Sequence, residues 1–420
     1  MQLVLSRVED KSKYRKQLLV IGGGAAGFFC AVNAARMNPA LKVTIIEKSN
    51  KLLSKVKVSG GGRCNVTHAC FDIAAMSKQY PRGQHFVKKT FHQFFTSDII
   101  QWFKERGVGL KTEPDGRMFP VTDNSQTIID CLLKEAEKYD VQILKNKEVK
   151  VINTQHSIFN IQCSNNEQLV GDFLCIACGG YPKSSMFAWL KETGHTIEEP
   201  VPSLFTFNLP AHPIIKLMGV TVEKARVKII GTKLVEEGPL LITHWGLSGP
   251  VILRLSAWGA RELSERNWEF GISISWFVDF NEESLRKKFQ ENRISFASQK
   301  VFNKNSFVLP ARLWEFLARQ SGIKPEWRWA DLPSAEQNKF IKNLCSYECT
   351  VKGKTTFKEE FVTAGGIKLN EVDPNTMMSK KVSNLFFAGE VLDVDGITGG
   401  FNFQHAWTSG WVAAKAIAMR

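Results

Sequence analysis

The sequence predicts an α/β protein in which one long insertion interrupts a mostly parallel sheet. An apolar run that ends in glycines, QLLVIGGG, is followed by a helical pattern and a second β-branched run, KVTIIEK. Strand, turn, helix and strand in this order form a right-handed crossover unit of a parallel sheet. A glycine-rich, apolar texture returns at 357–420 after a stretch of different character. The sheet domain is therefore predicted to be discontinuous.

The spacing of apolar residues predicts the other elements of the first segment. Residues 87–106 and 125–139 have the pattern of amphipathic helices, and TEPDGRMFP between them is rich in turn residues. Short strands that form a meander and return to the sheet are expected at 141–144, 148–152, 157–163 and 173–177.

The residue pattern of the chain changes at Pro200 and Pro202, which predict a linker. Short alternating strands predominate over about 204–280, and charged helical patterns follow over about 281–345. We therefore predict three chain segments. They are the first part of the sheet domain at 1–195, the insertion at 196–355 and the second part of the sheet domain at 356–420.

Composition and cysteine usage indicate a globular protein of a reducing compartment. The first 16 residues form a polar arm without the apolar core of a signal peptide. The nine cysteines are an odd number, which favours free thiols and a cytoplasmic location. Cys175 and Cys178 form a C-x-x-C, but they lie where a buried strand enters a glycine turn. We interpret them as core cysteines rather than as a redox or metal site.

Residues 17–35 carry no charge, yet three consecutive glycines and Asn33 interrupt them, so no membrane span is predicted. The net charge of +14 favours anionic ligands. The basic residues are spread along the chain without a long Lys/Arg run or a nucleic-acid motif. A basic surface around an anionic cofactor is the favoured interpretation, and a nucleic-acid partner is disfavoured but left open.

The motif Gly22-x-Gly24-x-x-Gly27 follows the first strand and opens the first helix. In this Rossmann-like arrangement the first glycine allows a sharp turn. The second lets a pyrophosphate approach the backbone, and the third allows helix and strand to pack closely. The helix N-terminus offers unpaired N–H groups to phosphates. Glu47 ends the second strand 20 residues after Gly27, where a carboxylate accepts hydrogen bonds from a ribose diol. The unit predicts dinucleotide binding.

Two further glycine-rich loops have more than one interpretation. SGGGRCN at 59–65 is either a surface turn or a loop in which Arg63 meets an anionic or planar ligand. ACGG at 177–180 is either a strand-to-loop turn or a second cofactor contact. Near the C-terminus, a strand runs into Gly389-Glu390, then a glycine loop and a helix. That helix N-terminus could stabilise negative charge on a reduced isoalloxazine ring.

These motifs, with EPDGRMFP, THWGLSGP and FFAGEVLDVDGITGGFNFQHAW, resemble the BaiN/YhiN-like flavoproteins over nearly the whole chain. Members of that family are often described as NAD(P)/FAD-dependent oxidoreductases or as aminoacetone oxidase-like. The resemblance implies FAD in a discontinuous, glutathione-reductase-type domain. It also implies an insertion with β-barrel-like and helical parts. This chain has Ala177-Cys178-Gly179-Gly180 where the family usually has A-T-G-G.

The resemblance also implies which residues contact each part of FAD. The implied contacts are Gly22, Gly24, Ala25, Ala26 and Gly27 for the pyrophosphate, Glu47 with the adjacent Lys48 for the ribose, Val149 for the adenine, Ala177, Cys178, Gly179 and Gly180 for the adenosine side, Gly389 and Glu390 for the ribityl-pyrophosphate part, Gly62, Arg63, Cys64 and Asn65 for the flavin end, and Gly400, Phe401, Asn402 and Phe403 for the isoalloxazine ring.

The sequence offers few acid–base candidates. His244 and His405 are either proton relays or structural histidines that hydrogen-bond to the backbone.

We expect an FAD-containing oxidoreductase that transfers a hydride between flavin and a small organic substrate. A second GxGxxG followed by an acid is lacking, so NAD(P)H is left open as a transient donor. The alternative is a flavin-dependent protein that modifies or binds nucleic acid. No metal site is predicted, and the oligomeric state is left open.

Overall fold

The computed structural model describes residues 15–155, 158–355 and 362–420. Most of the predicted N-terminal arm, residue 157 and the predicted start of the last segment at 356 lie outside these residues. The described chain divides into two compact units, one within 1–200 and 365–420 and the other within 201–364.

Among the described residues, the first part of the chain has short strands and seven α-helices. Its strands are β1 (Gln17–Ile21), β2 (Lys42–Ile46), β3 (Thr67–His68), β4 (Leu110–Thr112), β5 (Arg117–Pro120), β6 (Gln142–Leu144), β7 (Val149–Gln155), β8 (Ile158–Cys163), β9 (Gln168–Gly171), β10 (Phe173–Ile176) and β11 (Ile197–Ser203). Its helices are α1 (Ala25–Met37), α2 (Ser54–Gly62), α3 (Ile73–Ser77), α4 (Gln84–Phe91), α5 (Thr96–Lys104), α6 (Gln126–Lys138) and α7 (Ala188–Lys191).

The second unit and the returning chain supply the other elements. The second unit contains β12 (Thr206–Asn208), β13 (Thr221–Ile229), β14 (Val235–Ile242), β15 (Gly246–Ser248), β16 (Glu269–Ser275), β17 (Tyr347–Lys352) and β18 (Lys354–Thr355), with α8 (Pro250–Trp258), α9 (Ala260–Glu265), α10 (Glu282–Ser295), α11 (Ala311–Gln320) and α12 (Ser334–Cys345). The chain then returns through β19 (Val362–Ile367), β20 (Leu385–Phe387) and α13 (Phe401–Ala418).

A five-stranded parallel sheet organises the first unit, in the order β20-β10-β1-β2-β6. The predicted parallel α/β sheet is thereby confirmed, and strand β20 comes from the far end of the chain. Helix α1 packs against α13 at Gly410, where an added Cβ would lie 2.7 Å from the carbonyl oxygen of Ala26. Only glycine permits that helix–helix approach.

Several elements differ from the sequence predictions. The helix predicted at 87–106 is two helices, because the backbone N–H of Phe95 donates to the Asp98 carboxylate (2.7 Å) and so starts α5. The turn-rich stretch around Asp115 is a hairpin, in which β4 pairs with β5. Strand β9, which completes the meander with β7 and β8, has no counterpart in the prediction, and neither have helices α8 and α9.

The boundary predicted at Pro200 and Pro202 agrees with the division between the two units after residue 200, but these prolines lie inside strand β11 and not in an irregular linker. This strand pairs with β19 in a sheet of only two strands. Each strand of such a sheet has one open edge, where a proline's missing N–H leaves no ladder hydrogen bond unmade. Proline residues therefore do not interrupt β11.

The second unit is a curled antiparallel sheet with helices. Its order is β17-β16-β13-β14-β15-β12-β18, and a single residue, Gly353, separates the two end strands. The Gly353 N–H donates to the Trp268 carbonyl (2.9 Å), and its own carbonyl accepts from the Asn208 N–H (3.1 Å). The ends of the ladder thus meet in one bent strand, as in a barrel. Within the described chain no helix has the length and apolar character that a membrane span requires.

Candidate functional site

The turn after β1 contains two glycines that packing requires. Gly22 has φ +112°, and a Cβ there would lie 2.3 Å from the carbonyl oxygen of Ala177. A Cβ on Gly27 would lie 1.9 Å from the Gly22 carbonyl oxygen. These contacts bring the start of α1 close to the ends of β1 and β10.

Gly24 has a different environment, because it faces open space. It is the N-cap of α1, no side chain caps the helix there, and a Cβ would meet no atom within 4 Å. Ala25 and Ala26 are the first two helical residues, and the first turn contains no acidic side chain. The N-terminal N–H groups of this 13-residue helix, with their partial positive charge, therefore border space that suits an anion.

Glu47 is held rigidly beside this turn. One carboxylate oxygen, Oε2, accepts from the Gly23 N–H (2.9 Å), and Oε1 accepts from both the N–H and the hydroxyl of Ser49 (2.9 Å each). An oriented carboxylate of this kind can accept further hydrogen bonds from a diol, because each oxygen has two lone pairs.

A cavity of about 400 Å³ opens next to Glu47. Five residues singled out in the sequence line it, namely Gly22, Glu47, Lys48, Val149 and Cys178. The structure therefore brings together residues from four separate parts of the chain. Burial raises the pKa of the Cys178 thiol to about 11, so this cysteine stays protonated near neutral pH. Ala177 is buried, and Gly179 has φ +77°.

The far wall of the cavity was missed by sequence reasoning. It includes Tyr181, Met186 and Trp189, from the stretch YPKSSMFAWLK. The Lys48 ammonium lies 5.3 Å from the centre of the Tyr181 ring. Three aromatic residues within nine positions of a glycine turn were the available signal, and such residues are equally common in cores.

The second glycine loop turns sharply at the end of α2. Gly60, Gly61 and Gly62 have φ values of +59°, +70° and +85°, and a Cβ on either of the last two would meet no atom within 4 Å. Cys64 follows with φ +64° and is fully buried, which raises the pKa of its thiol to about 12. The loop thus exposes glycine backbone while its cysteine is an inert packing residue.

Arg63 is bound to protein groups. Its Nη1 donates to the Glu113 carboxylate (2.5 Å) and lies 3.6 Å from the Asp123 carboxylate, and its guanidinium carbon is 3.9 Å from the centre of the Phe119 ring. The hydrogen bond that Arg63 donates to Glu113 raises the pKa of Arg63 above its usual value. These contacts favour an anchoring role for Arg63, and its contact with a cofactor stays a prediction.

Asn65 joins the second glycine loop to the C-terminal loop. With its amide oriented to satisfy both atoms, its oxygen accepts from the Gly400 N–H (2.9 Å) and its NH2 group donates to the Thr67 carbonyl (3.0 Å). Gly400 has φ +95°, and a Cβ there would lie 2.5 Å from the Thr67 carbonyl oxygen. Two loops that are more than 330 residues apart in the chain therefore meet at the start of α13.

The first turn of α13 is packed on both sides. The Phe401 ring stacks on His68 with 4.7 Å between ring centres, and the Phe403 ring stacks on Trp407 at 5.7 Å. The Asn402 amide bonds to both the N–H and the carbonyl of Gly396 (2.9 Å each). These contacts position the helix N-terminus.

Residues 79–83 hold the loop that precedes α13, and we call this segment the loop clamp. The Tyr80 hydroxyl donates to the Phe401 carbonyl (2.6 Å), and the Ile397 N–H donates to the Gln79 carbonyl (3.0 Å). Arg82 forms a two-pronged ion pair with Asp395, whose side chain is fully buried. Sequence reasoning missed the clamp, because its partners lie more than 300 residues apart.

Gly389 and Glu390 lie next to α1. Gly389 has φ +75°, its N–H donates to the Ser409 hydroxyl (2.9 Å), and a Cβ there would lie 2.8 Å from the Cβ of Ala26. The Glu390 carboxylate pairs with the Lys55 ammonium (2.5 Å). The end of β20 is thereby placed at the start of the glycine-capped helix.

The two histidines differ in environment. His405 is buried, its Nε2 lies 3.3 Å from the Gly389 carbonyl, and its Nδ1 has no partner among the described residues. The backbone hydrogen bond is what the structural interpretation expects, and burial lowers the pKa of His405 to about 4. His244 is exposed and lies in the second unit, with its ring 3.8 Å from that of Trp245. A catalytic role for either histidine stays a prediction.

Acidification is expected to destabilise the folded protein through His405. Its pKa is about 6.5 in the unfolded chain and about 4 in the fold, so the unfolded state takes up the proton first. Stability is therefore lost as pH falls from 6.5 towards 4, by about 3 kcal/mol for this group. Urea unfolding between pH 7 and 4 measures the effect. His405→Gln keeps an N–H donor without titrating, and its stability should decline less steeply. Parallel profiles for the two proteins would contradict the assignment.

The residues present fit a bound dinucleotide. The uncapped α1 N-terminus offers N–H groups to a pyrophosphate, Glu47 offers acceptors to a ribose, and the adjacent cavity has room for a base. Within the described residues, no group of three or more His, Cys, Asp or Glu side chains could hold a metal ion.

Comparison with known proteins gives consistent findings. Residues 16–416 match the family described as HI0933-like protein Rossmann domain. The chain is 28% identical over 411 residues to the 3-dehydro-bile acid delta(4,6)-reductase of Clostridium scindens, with 96% of this chain and 98% of that protein covered. It is 32% identical over 417 residues to the ribosomal RNA dihydrouridine synthase of Escherichia coli, with 96% and 98% covered.

Two solved structures share the fold. One is the 3-ketosteroid-delta4-(5alpha)-dehydrogenase of Rhodococcus jostii RHA1, with a TM-score of 0.53 and 11% identity over 98% of this chain and 99% of that chain. The other is a flavocytochrome c3 fumarate reductase, with a TM-score of 0.51 and 16% identity over 96% of this chain and 78% of that chain. At these identities the likeness concerns the fold alone.

Proposed function

Because the chain belongs to the HI0933-like Rossmann family of flavoproteins, we propose that it is an FAD-dependent reductase of carbon–carbon double bonds conjugated to a carbonyl group. Membership of this family makes it an FAD-dependent oxidoreductase. The bond type comes from the names of two relatives. A double bond at position 4 of a 3-oxo steroid and the 5,6 double bond of uridine are both conjugated to a carbonyl, and each becomes electrophilic at the carbon that accepts hydride.

One observation carries the proposal. The uncapped N-terminus of α1 lies beside the cavity that Gly22 and Glu47 line. In this assignment the amides at Gly24, Ala25 and Ala26 bind the pyrophosphate. The Glu47 carboxylate accepts from the ribose diol. Aromatic side chains of the cavity wall enclose the adenine. Each group is held in place by the protein before any ligand arrives, which lowers the cost of ordering on binding.

The flavin end is assigned to the region where Asn65 meets Gly400. When bound and reduced, the flavin would supply a hydride to one carbon of the double bond, and a proton would supply the second hydrogen. The chain's own residues set the environment there, because the N-terminus of α13 contributes partial positive charge and the loop clamp holds the preceding loop. The sequence contains a single GxGxxG unit with a following acid, so it predicts no separate domain for NAD(P)H. NAD(P)H is therefore proposed as a donor that binds only transiently.

Two substrate classes fit this chemistry. The first is a small unsaturated ketone, in keeping with the sequence-based expectation of a small organic substrate. The second is uridine in ribosomal RNA, which the net charge of +14 favours because basic surface attracts a polyanion. The relative at 32% identity carries the name of such an enzyme.

Anaerobic single-turnover measurements test the proposal. The holoprotein is reduced with NADPH or NADH and then mixed with an unsaturated steroid ketone or with ribosomal RNA that lacks dihydrouridine. We expect flavin reoxidation with one class and a product that has gained two hydrogens, read by mass spectrometry. An alkene without a carbonyl is the matched control for the first class. The proposal fails if neither substrate class reoxidises the flavin faster than buffer alone.

A further inference from the structure

The helical part of the second unit carries an exposed pair of like charges on a short antiparallel ribbon. Lys300 and Arg328 form an isolated antiparallel bridge. The flanking hydrogen bonds join the Val301 N–H to the Trp327 carbonyl (3.1 Å) and the Trp329 N–H to the Gln299 carbonyl (2.9 Å). Because side chains alternate along such a ribbon, Val301 and Trp329 are buried while both cations are exposed.

Carboxylates do not neutralise these two cations. Within the described part of the chain, neither side chain makes a hydrogen bond or an ion pair. Like charges directly opposite each other on paired strands are destabilising. An anion that contacts both cations removes this repulsion. Glu326 and Asp331 are exposed carboxylates in the same stretch of chain, but neither pairs with Lys300 or Arg328.

Cations and half-exposed aromatic rings alternate around this pair. Lys304 lies over the ring of Phe296 (4.5 Å), Lys324 over that of Trp327 (5.6 Å) and Arg319 over that of Phe302 (5.0 Å). Aromatic rings beside cations are what single-stranded and looped nucleic acids bind, since bases stack on rings while phosphates meet the charges.

Two buried tryptophans support the ribbon through hydrogen bonds. The indole N–H of Trp314 donates to the Val301 carbonyl (2.9 Å), and that of Trp329 donates to the Lys304 carbonyl (3.3 Å). Both tryptophans are fully buried in the core of the second unit. The cations are therefore presented by ordered backbone, which reduces the entropy that binding must overcome.

We propose that Lys300 and Arg328, with the neighbouring rings of Phe302 and Trp327, form an RNA-binding surface. This inference rests on the RNA candidate of the proposed function and adds the residues that hold the phosphate backbone. The surface recognises phosphates and unstacked bases without reading a specific sequence.

Binding at different salt concentrations tests the surface without relying on catalysis. The holoprotein is titrated with a structured transcript of ribosomal RNA between 50 and 200 mM KCl, roughly the range over which phosphate contacts are lost. For Lys300→Gln/Arg328→Gln we expect the slope of log K against log salt to become shallower by about 1.4 to 1.8, which corresponds to two phosphate contacts. Flavin content and turnover of a small unsaturated ketone should not change.

The matched control removes the same charge from cations that already have partners. Lys287 pairs with Glu283 (3.0 Å) and Lys288 with Glu291 (2.8 Å), all on the exposed side of α10. Lys287→Gln/Lys288→Gln should therefore retain the wild-type salt slope. The inference is overturned if both double variants change the slope equally. It is also overturned if Lys300→Gln/Arg328→Gln loses binding to anionic phosphatidylglycerol vesicles but not to RNA. If RNA binds through this surface but uridine is not reduced, only the proposed reaction fails.

Discussion

Replacing Gly24 with valine is expected to give a folded protein that no longer retains FAD. A Cβ at this position meets no atom within 4 Å, and the backbone angles (φ −95°, ψ −171°) are ones that valine adopts readily. The fold should therefore tolerate the substitution. The two methyl groups would instead occupy the space in front of the α1 N–H groups, which we assign to the pyrophosphate. We expect FAD affinity to fall at least a hundredfold, about 2.7 kcal/mol.

The ratio of flavin to protein absorbance after gel filtration measures this loss, and circular dichroism establishes that the variant is folded. Gly27→Val is the contrasting control. Its Cβ would lie 1.9 Å from the Gly22 carbonyl oxygen, so this variant should fail to fold rather than fold without flavin. If Gly24→Val purifies with wild-type flavin content, the pyrophosphate does not bind at the start of α1.

Removing the guanidinium of Arg82 is expected to destabilise the first unit by about 3–5 kcal/mol. The Asp395 side chain is fully buried, and the Arg82 side chain is only 12% exposed. Arg82→Met keeps much of the side-chain volume but leaves the buried carboxylate without this cation. Desolvation of the carboxylate is then no longer offset by the ion pair. The loop clamp should loosen, and bound flavin should be released earlier in a urea titration.

Flavin fluorescence and circular dichroism followed together in urea measure this effect. Arg82→Met/Asp395→Asn removes both charges and should recover part of the lost stability. Arg319→Met is the exposed control, because the side chains of Arg319 and Glu315 are about half exposed. That change should cost no more than about 1 kcal/mol. Equal losses for Arg82→Met and Arg319→Met would contradict a structural role for the buried pair.

Local pattern was enough to predict the elements to which we assign phosphate binding. The strand before Gly22, the helix after Gly24 and the strand before Glu47 are specified by neighbouring residues, and all three occur as expected. A right-handed crossover leaves little topological freedom once those elements exist. The cavity brings Gly22 and Glu47 of this unit together with Val149 and Cys178, which the family resemblance implies.

Other features could not be predicted, because their partners are distant in the chain. The partners of Arg63 are an example, because the sequence around it contains no sign that Glu113 and Phe119 contact its guanidinium. Its contact with a cofactor stays a prediction. Pro200 suggested a linker, although pairing with β19 makes it part of a strand. There a tertiary contact overrides a sound local preference.

The sequence by itself determined the strand–helix–strand unit to which we assign the nucleotide, since backbone geometry at glycines, helix polarity and β-branched strands act over a few residues. Only the tertiary structure decided which groups remain free to bind. Packing left Gly24 facing open space and buried Asp395 against Arg82, and it placed Lys300 opposite Arg328. The physical reason is that solvent exposure and charge pairing depend on residues that folding brings together from distant parts of the chain.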